Sequence, residues 1–538
     1  VKSFDGEASM IRHLFQDKCY LSNHLNFPTV KRHFPRNFGT ASLFFRSNKL
    51  AQQNGKNGDV ESGERRLGER LKNYARKSKL ASLMTAADER AVQVVSPIQN
   101  YFNKLEKDIW DHFNKTDKFS FPAKPDIVII GGGLLGSSIG YWLKNRAKEI
   151  EVVIVERDPS LKGYIPKSFT GLLKQNFSVK QNLEMAQFGV EFLRNVRESL
   201  SVKDLKIFDP KVNFEKYLFL ANDEDVDNVK ITHDVLKHLG VHSIMLSASE
   251  LSEMFPWMNL SGIAVGCHCI EKEGWFDPLN LLLALKTKNM DLGIHYVPAD
   301  AQSFELSGSG HFIESEGQTI EYERPHKIHI ETETGEFVGL QSYAYILAGG
   351  WECTKLAESA KIGKSSGLLR HPLPIIFRTR HVFGLHVPNS PLLGFPVIED
   401  PSGLLIRREG LGGHYICTIT SEELFTSEKL QIDYFYHTVM PLLVNRLPFM
   451  KEAQLLISWM VMEDQNTHDN LGIFGQHPLH ENIVFATGFG INAPLFAPAI
   501  GRAAMELLMD KKYLTIDMTP FHFDRIICDE RLMELCQK

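Results

Sequence analysis

Three glycines and one carboxylate are spaced for binding a dinucleotide. Gly131, Gly133 and Gly136 form a Gly-x-Gly-x-x-Gly motif, and Glu156 follows about 20 residues later. The first glycine permits a tight turn, the second lets a pyrophosphate approach the backbone, and the third lets a helix pack closely on a strand. A carboxylate at the position of Glu156 accepts hydrogen bonds from a ribose. These residue types therefore predict a site for the phosphate and ribose groups of a dinucleotide.

The elements that must position these residues are also present. Residues 127–130 are an unbroken β-branched run, which is typical of a central parallel strand, and 135–147 and 151–156 continue as helix and strand. The helix begins at Leu134 and Leu135, where free N–H groups and a positive dipole end favour a pyrophosphate. Arg157 adds a predicted contact beside Glu156. A glycine-rich turn in another kind of α/β protein is the alternative, but the complete strand–turn–helix–strand context favours the dinucleotide site.

Composition limits the class of protein. A chain of 538 residues can hold two or three domains or one large two-part enzyme. A net charge of −5 gives no reason to expect a nucleic acid as partner. The cysteines are too scattered for a disulfide framework, and Cys267-His268-Cys269 is interpreted as two strand thiols, since a zinc site needs four ligands. We assign no metal site and, without a run of ~18 apolar residues, no transmembrane segment.

The N-terminal part predicts a targeting segment and a linker. Residues 1–50 are basic, and residues 31–42 contain hydroxyl side chains and no acidic residue, which resembles a mitochondrial presequence. A merely disordered basic tail is the alternative. Residues 51–120 are predicted to be a linker followed by an amphipathic helix at 96–114, which packs on the body of the protein or binds a partner.

Strand-to-glycine turns recur far along the chain, which predicts a split nucleotide domain. One buried strand ends at Gly349, and another ends at Gly488 and is followed by a helix over 497–509. Gly349 and Gly488 are therefore predicted to contact the cofactor, with a second domain inserted between the parts. The predicted boundaries are 121–215, 326–365 and 466–538 for the nucleotide domain, and 216–325 and 366–465 for the inserted domain.

The order of these motifs is similar to that of a known family. Over residues 120–525 the chain resembles the D-amino-acid oxidase-like FAD-dependent oxidoreductases. The resemblance is carried, in order, by residues 131–136, 156–157, 273–278, 348–351 and 486–489. Segments 404–412, 465–469 and 514–521 more closely resemble a mitochondrial subgroup that takes part in the assembly of respiratory complex I.

The resemblance implies a fold and a cofactor. The expected fold is α/β, with a split Rossmann-like FAD-binding domain, an inserted antiparallel-sheet (α+β) substrate domain and a poorly structured N-terminal extension. The chain departs from the family pattern where small residues are expected near the flavin, at Leu172, Leu173, Lys174, Val461, Ile491, Ala493 and Pro494. We therefore expect an intact ADP half and a damaged isoalloxazine half of the site, with FAD bound weakly, structurally or not at all.

No catalytic residue is assigned. Arg407 and Arg408 are best placed to hold a substrate carboxylate, with a surface salt-bridging pair as the favoured alternative. One hypothesis is an active FAD-dependent oxidase or dehydrogenase of a small amine or amino acid. The other, which the departures favour, is an assembly factor or accessory component of complex I, whose partners are complex I subunits or assembly intermediates. Its expected location is the mitochondrial matrix, at the inner membrane through complex I.

Overall fold

The computed structural model describes most of the chain beyond residue 120. The described residues are 121–158, 171–203, 205, 208–315, 318–391, 393–421 and 428–536, without the side chains of 309–321 and 428. The predictions for the presequence-like segment 1–50, for the linker and amphipathic helix in 51–120 and for the N-terminal extension lie outside them. Most of the loop over 162–171, where the sequence departs from the family pattern, lies outside them as well.

The strands form two eight-stranded sheets and a small three-stranded one. In chain order they are β1 (Ile127–Ile130), β2 (Val152–Glu156), β3 (Leu172–Leu173), β4 (Asn213–Phe214), β5 (Tyr217–Ala221), β6 (Ser243–Ser247), β7 (Val265–Cys269), β8 (Gly274–Trp275), β9 (His295–Ser315), β10 (Gln318–Thr332), β11 (Phe337–Gln341), β12 (Ala344–Leu347), β13 (Ile375–His386), β14 (Val397–Glu399), β15 (Leu405–Glu409), β16 (His414–Ser421), β17 (Gln454–Asn466), β18 (Ile473–Gln476) and β19 (Ile483–Thr487).

Helices connect and cover these sheets. In chain order they are α1 (Leu134–Arg146), α2 (Lys180–Arg194), α3 (Val196–Leu200), α4 (Val226–His238), α5 (Ala248–Met254), α6 (Pro278–Asp291), α7 (Cys353–Ser359), α8 (Glu428–Tyr434), α9 (Met440–Arg446), α10 (Ala493–Met505) and α11 (Asp524–Ile527). Residues 180–200 form two helices that meet at Asn195, and the helix predicted over 497–509 begins earlier, at Ala493. In the described part of the chain, no helix combines the length and apolar content needed to cross a bilayer.

The first large sheet has the predicted Rossmann-like core. Its strand order is β11-β10-β9-β2-β1-β12-β19-β18, and the five central strands from β9 to β19 run parallel. β1 is buried throughout, as its β-branched sequence predicts. Helices α1 and α10 pack together on this sheet at a contact that has no room for a side chain at Gly501, since a Cβ there would lie 2.5 Å from Ser138 Oγ.

The second large sheet is the inserted domain. Its order is β17-β13-β16-β15-β14-β5-β7-β6, antiparallel except for the β14–β5 pair. One face packs under α8 and α9 in a core that includes Phe383, Tyr415 and Phe435. Tyr217 and Leu405, on the opposite face, belong to the core of the dinucleotide domain. The fold is therefore the α/β arrangement of a split Rossmann-like domain with an inserted, mainly antiparallel domain.

The boundary between the two domains differs from the predicted one. The sequence predicts 216–325 as inserted domain, but α6 packs on α1, and β9 and β10 extend the first sheet beyond β2. The inserted part of this stretch therefore ends near Cys269. The sequence misleads because β9 and β10 form a long antiparallel ribbon. Only the first residues of β9, 295–298, pair with the parallel strand β2.

The C-terminal tail caps a helix that lies far away in sequence. The Glu534 carboxylate accepts hydrogen bonds from the backbone N–H groups of Ser178 and Val179 and from Asn182 Nδ2, the last at 2.9 Å. These groups lie at the start of α2, where the first N–H groups have no partner within the helix. A carboxylate at this end also interacts favourably with the helix dipole. The tail thus holds the beginning of α2 in place.

The segment 273–278 contains two buried carboxyl groups, those of Glu273 and Asp277. Asp277 accepts hydrogen bonds from the N–H groups of Leu279 and Asn280, so it is the N-cap of α6, and Pro278 lies in the first turn. Glu273 is fully buried, and its Oε1 accepts a hydrogen bond from Gln175 N at 3.0 Å. Burial therefore raises the pKa of the Glu273 carboxyl to about 8.

We predict that Glu273→Gln stabilises the protein increasingly as the pH rises. Between the usual pKa of 4.5 and the folded value of about 8, the unfolded chain has released a proton that the folded chain still holds. The wild type therefore loses stability through this range, and the loss is complete above it. At about 1.4 kcal/mol per pKa unit, the gain from glutamine is at most about 5 kcal/mol.

Urea unfolding of the wild type and the variant, at about pH 5 and about pH 8.5, measures this difference. Glu253→Gln is the matched control, because Glu253 is exposed and its substitution should change the free energy of unfolding equally at both pH values. An equal effect of Glu273→Gln at the two pH values would contradict the assignment.

Candidate functional site

Two adjoining cavities lie between the two large sheets. The larger one, which we call the nucleotide cavity, has a volume of about 350 Å³ and runs from Glu156 and Arg157, past residues 131–135, to Asp464 and Pro494. The smaller one, the sheet cavity, has a volume of about 90 Å³ and lies between the inserted sheet and residues 488–492. Glu463, Asp464 and Gly490 line both, so these residues form the boundary between the two cavities.

The predicted glycine motif lies at the carboxyl end of β1, where the backbone is too crowded for side chains. Gly131 has a φ of +101°, and a Cβ there would lie 2.5 Å from the carbonyl oxygen of Ala348. A Cβ at Gly136 would lie 1.9 Å from the carbonyl oxygen of Gly131. Glycine is required at both positions, and the turn brings the backbone itself to the cavity wall.

The N-terminus of α1 opens into the nucleotide cavity without a capping side chain. Gly133 is the N-cap residue, no acidic residue lies in the first turn, and Gly133, Leu134 and Leu135 all line the cavity. Uncapped N–H groups at the positive end of a 13-residue helix fit a pyrophosphate. The structure thus brings together Gly131, Gly133, Leu134 and Leu135 as predicted, and the donors present suit a dinucleotide.

Glu156 and Arg157 lie at the opposite end of the cavity from Asp464. The Glu156 carboxylate accepts hydrogen bonds from Gly132 N at 2.7 Å and from Asp158 N at 2.9 Å. A carboxylate has about four acceptor positions, so two remain for ribose hydroxyl groups. The Arg157 guanidinium is half-exposed and forms ion pairs with Asp300 and Glu352, so it closes the rim of the cavity rather than facing its centre with a free charge.

The two later glycines lie in different places. Gly349 lines the nucleotide cavity, and its N–H lies 3.1 Å from Cys353 Sγ. Gly488 lines the sheet cavity and has a φ of +81°, and a Cβ there would lie 2.7 Å from Ile375 Cδ1. Contact with a cofactor therefore stays a prediction for both glycines, and for Gly488 it would come from the side of the sheet cavity.

Asp464 is a site residue that the sequence did not predict. It lies near the end of β17, and its carboxylate accepts hydrogen bonds from the N–H groups of Gly488 and Gly490 and from Thr487 Oγ1. The two N–H groups belong to the turn between β19 and α10, which the family resemblance places against the flavin. No local pattern reveals this contact, because it joins residues about 25 positions apart across two sheets.

The sheet cavity contains paired charges and one unpaired guanidinium. Lys174 Nζ lies 2.8 Å from Glu399 Oε2, and Tyr217 donates a hydrogen bond to the same carboxylate. Burial opposes the charge of Lys174, but Glu399 outweighs burial and raises its pKa above the usual value. Arg380 and Glu463 form a second buried pair. Arg378, which is half-buried, lines the cavity with no hydrogen-bond or ion-pair partner among the described residues.

The residues expected to crowd the flavin are only partly at the cavities. Leu172 and Ile491 line the sheet cavity, and Ala493 and Pro494 line the nucleotide cavity. Val461 lines neither of the two, because it is fully buried with Val382, Ile416 and Trp459 on the inserted sheet. The expectation that it faces the ring is therefore corrected.

Arg407 and Arg408 are not surface residues, and they do not line either cavity. Arg407 is buried, pairs with Glu409 and stacks over the Trp275 ring at 4.1 Å from its centroid. Arg408 is also buried and lies 3.0 Å from Glu215 Oε1. Both guanidinium groups form ion pairs, as the favoured interpretation predicts, but they do so in the interior and not at the surface, and neither is placed to hold a substrate carboxylate in the two cavities. Within the described residues, no group of three or more His, Cys, Asp or Glu is arranged to hold a metal ion.

We predict that Gly133→Val abolishes FAD binding while leaving the protein folded. A branched side chain at the N-cap of α1 would occupy the space where a pyrophosphate meets the helix N–H groups. Flavin fluorescence after gel filtration measures retention of added FAD, and we expect it to fall to background. Gly240→Asn is the matched control, since a Cβ at Gly240 meets nothing within 4 Å and asparagine tolerates its positive φ. Full retention by Gly133→Val would show that the dinucleotide binds elsewhere.

Curated relatives match over most of this chain. A Drosophila melanogaster protein named FAD-dependent oxidoreductase domain-containing protein 1 homolog is 34% identical over 505 residues, which cover 91% of this chain and 96% of that protein. The Bos taurus FAD-dependent oxidoreductase domain-containing protein 1 is 35% identical over 425 residues, covering 77% of this chain and 87% of the relative.

Solved structures and a family comparison agree with the geometry. The crystal structure of L-proline dehydrogenase from P. horikoshii superposes with a TM-score of 0.58 at 18% identity, covering 77% of this chain and 100% of that one, which shows a shared fold. The family described as FAD dependent oxidoreductase matches residues 126–507, a range that contains both cavities. FAD is the cofactor of that family, and the uncapped helix and the Glu156 carboxylate suit its ADP half. The chain belongs to the DAO family of FAD-dependent oxidoreductases.

Proposed function

We propose that this protein serves in mitochondria as an assembly factor or accessory component of respiratory complex I, holds FAD structurally, and has little catalytic turnover. The observation that carries the proposal is the difference between the two ends of the nucleotide cavity. The end near Glu156 presents free acceptors and uncapped N–H groups, whereas at the other end the Asp464 carboxylate already occupies the N–H groups of Gly488 and Gly490.

Loss of donors at this end affects catalysis more than binding. A flavin oxidase stabilises the negative charge that develops on its ring with preorganised donors, and removal of one such donor typically lowers the rate about 10²–10³-fold. The uncapped helix and Glu156 at the other end supply affinity for the phosphates and the ribose. The chain is therefore better equipped to retain a cofactor than to use it.

The segments that resemble the complex I-associated subgroup lie away from the cavities for the most part. Asp469 forms a buried ion pair with Arg525, which fixes the C-terminal part on the FAD-binding domain. Leu411 and Leu514, from the other two segments, are 66% and 46% exposed.

The proposed compartment is the mitochondrial matrix, at the inner membrane through complex I. Its support is the basic, hydroxylated sequence of the first 50 residues. A protein that follows this route would meet complex I intermediates on the matrix side.

An active oxidoreductase acting on a small amine or amino acid is the second candidate. The observation that favours it is Arg378, whose guanidinium lines the sheet cavity without a partner among the described residues. Arginine binds carboxylates through parallel hydrogen bonds, so this residue could hold the carboxylate of an amino acid. The 90 Å³ volume restricts such a substrate to a small molecule.

We predict that the purified protein releases little or no hydrogen peroxide with a panel of amino acids and methylated amines, and that it co-migrates with complex I or its intermediates on native gels of mitochondrial extract. Arg378→Ala is the diagnostic variant. If the protein is a component of complex I, the variant should still co-migrate with it, and if the protein is an active oxidoreductase, the variant should lose turnover. Robust turnover by the wild type, or migration free of complex I, would favour the oxidoreductase.

We predict that deletion of residues 1–45 prevents mitochondrial import. The deleted stretch contains the basic, acid-free segment expected to act as the presequence. Fluorescence microscopy of tagged full-length and truncated proteins measures the location. A matched variant that lacks residues 51–90 keeps the presequence and should still be imported. Unchanged targeting of the first truncation would refute the presequence interpretation.

A further inference from the structure

We propose that Asp464 is a charged internal ligand for the turn between β19 and α10, and that it weakens the binding of reduced FAD relative to oxidised FAD. The inference concerns the chemistry of the nucleotide cavity and holds whether or not the protein acts on complex I. It rests on the position of one carboxylate and on the use of each backbone donor around it.

The position of Asp464 follows from the shape of the nucleotide cavity. The helix N-terminus at Gly133 suits the pyrophosphate, and Glu156 suits the ribose of the adenosine half. The remaining half of a dinucleotide must therefore extend toward the opposite end, which Asp464 and Gly490 line. The same two residues also face the sheet cavity, so they lie where the two spaces meet.

The carboxylate of Asp464 takes up the donors of this turn. Its oxygens accept from Gly488 N and from Gly490 N, the latter at 3.1 Å, and from Thr487 Oγ1 at 3.1 Å. Hydrogen bonds to a charged acceptor are stronger than those between neutral groups. A neutral carbonyl of a bound ring would have to displace this carboxylate to reach the same donors.

The following residues do not replace the lost donors. Asn492 N donates to the carbonyl oxygen of Phe489 at 3.2 Å, and Ala493 N donates to that of Gly490. Pro494, at the second position of α10, has no N–H. The positive end of α10 therefore faces the cavity with few free donors and with a carboxylate beside it.

The sign of the effect follows from charge. Two-electron reduction of the isoalloxazine ring near neutral pH adds two electrons and one proton, so the ring gains one negative charge. A carboxylate at this end repels that charge, whereas free N–H groups at a helix N-terminus would stabilise it. Two cations of the inserted sheet, Arg378 and Arg380, line the adjoining sheet cavity. The Arg380 guanidinium is bound by Glu463 in a buried pair, and among the described residues neither arginine forms an ion pair with Asp464.

The test measures FAD affinity in both oxidation states for the wild type, Asp464→Asn and Asp464→Ala. Asparagine removes the charge with little change in size, and alanine also frees the donors. Titration calorimetry with FAD, and with FAD reduced by dithionite under argon, gives the two dissociation constants. We expect each variant to raise the affinity for reduced FAD relative to oxidised FAD at least tenfold, which equals a rise of about 30 mV in the two-electron potential.

Asp300→Asn is the matched control. It removes one negative charge from the other end of the same cavity, beside Arg157. Whatever it does to FAD affinity, it should leave the ratio between the two oxidation states unchanged. Thermal unfolding shows whether each variant is folded. If one of the two Asp464 variants does not fold, the other one alone decides the test.

The outcomes separate this inference from the proposed function. An unchanged affinity ratio in both Asp464 variants, or the same shift in Asp300→Asn, would overturn it. If the wild type binds no FAD and an Asp464 variant does, the carboxylate obstructs the site, which supports the inference. If neither the wild type nor an Asp464 variant binds FAD, the inference fails. Co-migration with complex I on native gels tests the proposed function independently of this result.

Discussion

Crowding of the backbone at the end of β1 is the constraint on which the rest of the structure depends. The turn at Gly131, the first turn of α1 and the end of β12 meet so closely that a single Cβ would lie within 2.5 Å of Ala348 O. This contact fixes the direction of α1, which in turn sets its packing on α10 at Gly501. It also leaves helix N–H groups as the floor of the nucleotide cavity. Close packing of the scaffold and the capacity to bind phosphate thus have the same origin.

The parts of the fold that depend on local pattern could be predicted from the sequence. The β-branched run of β1, the glycine spacing and the Asp277-Pro278 cap each report on their own neighbourhood. The parts that depend on strand register could not. The sequence places Val461 beside the flavin, but its register against Arg380 puts it in a small apolar cluster instead.

The candidate site shows the same division. Its ADP half lies within one continuous segment and could be predicted, whereas its other half is assembled from distant segments. The sequence shows that Lys174 is a large residue at a position where a small one is expected. It does not show the partner of Lys174, because Glu399 lies 225 residues away. Asp464 reaches its turn across the boundary of two sheets. Such contacts are set by tertiary packing, and buried pairs of this kind bind the two domains specifically, since loss of one partner leaves a charge uncompensated.

The cap that Glu534 places on α2 has a consequence for biosynthesis. Chains are made from the N-terminus, yet β19 completes the parallel part of the first sheet and Glu534 completes the start of α2. The N–H groups of Ser178 and Val179 therefore lack this partner until residue 534 has been synthesised, and contacts of such long sequence separation form slowly. A variant that lacks Glu534 would leave the N–H groups of Ser178 and Val179 without this acceptor. Formation of the start of α2 is thereby coupled to synthesis of the chain as far as Glu534.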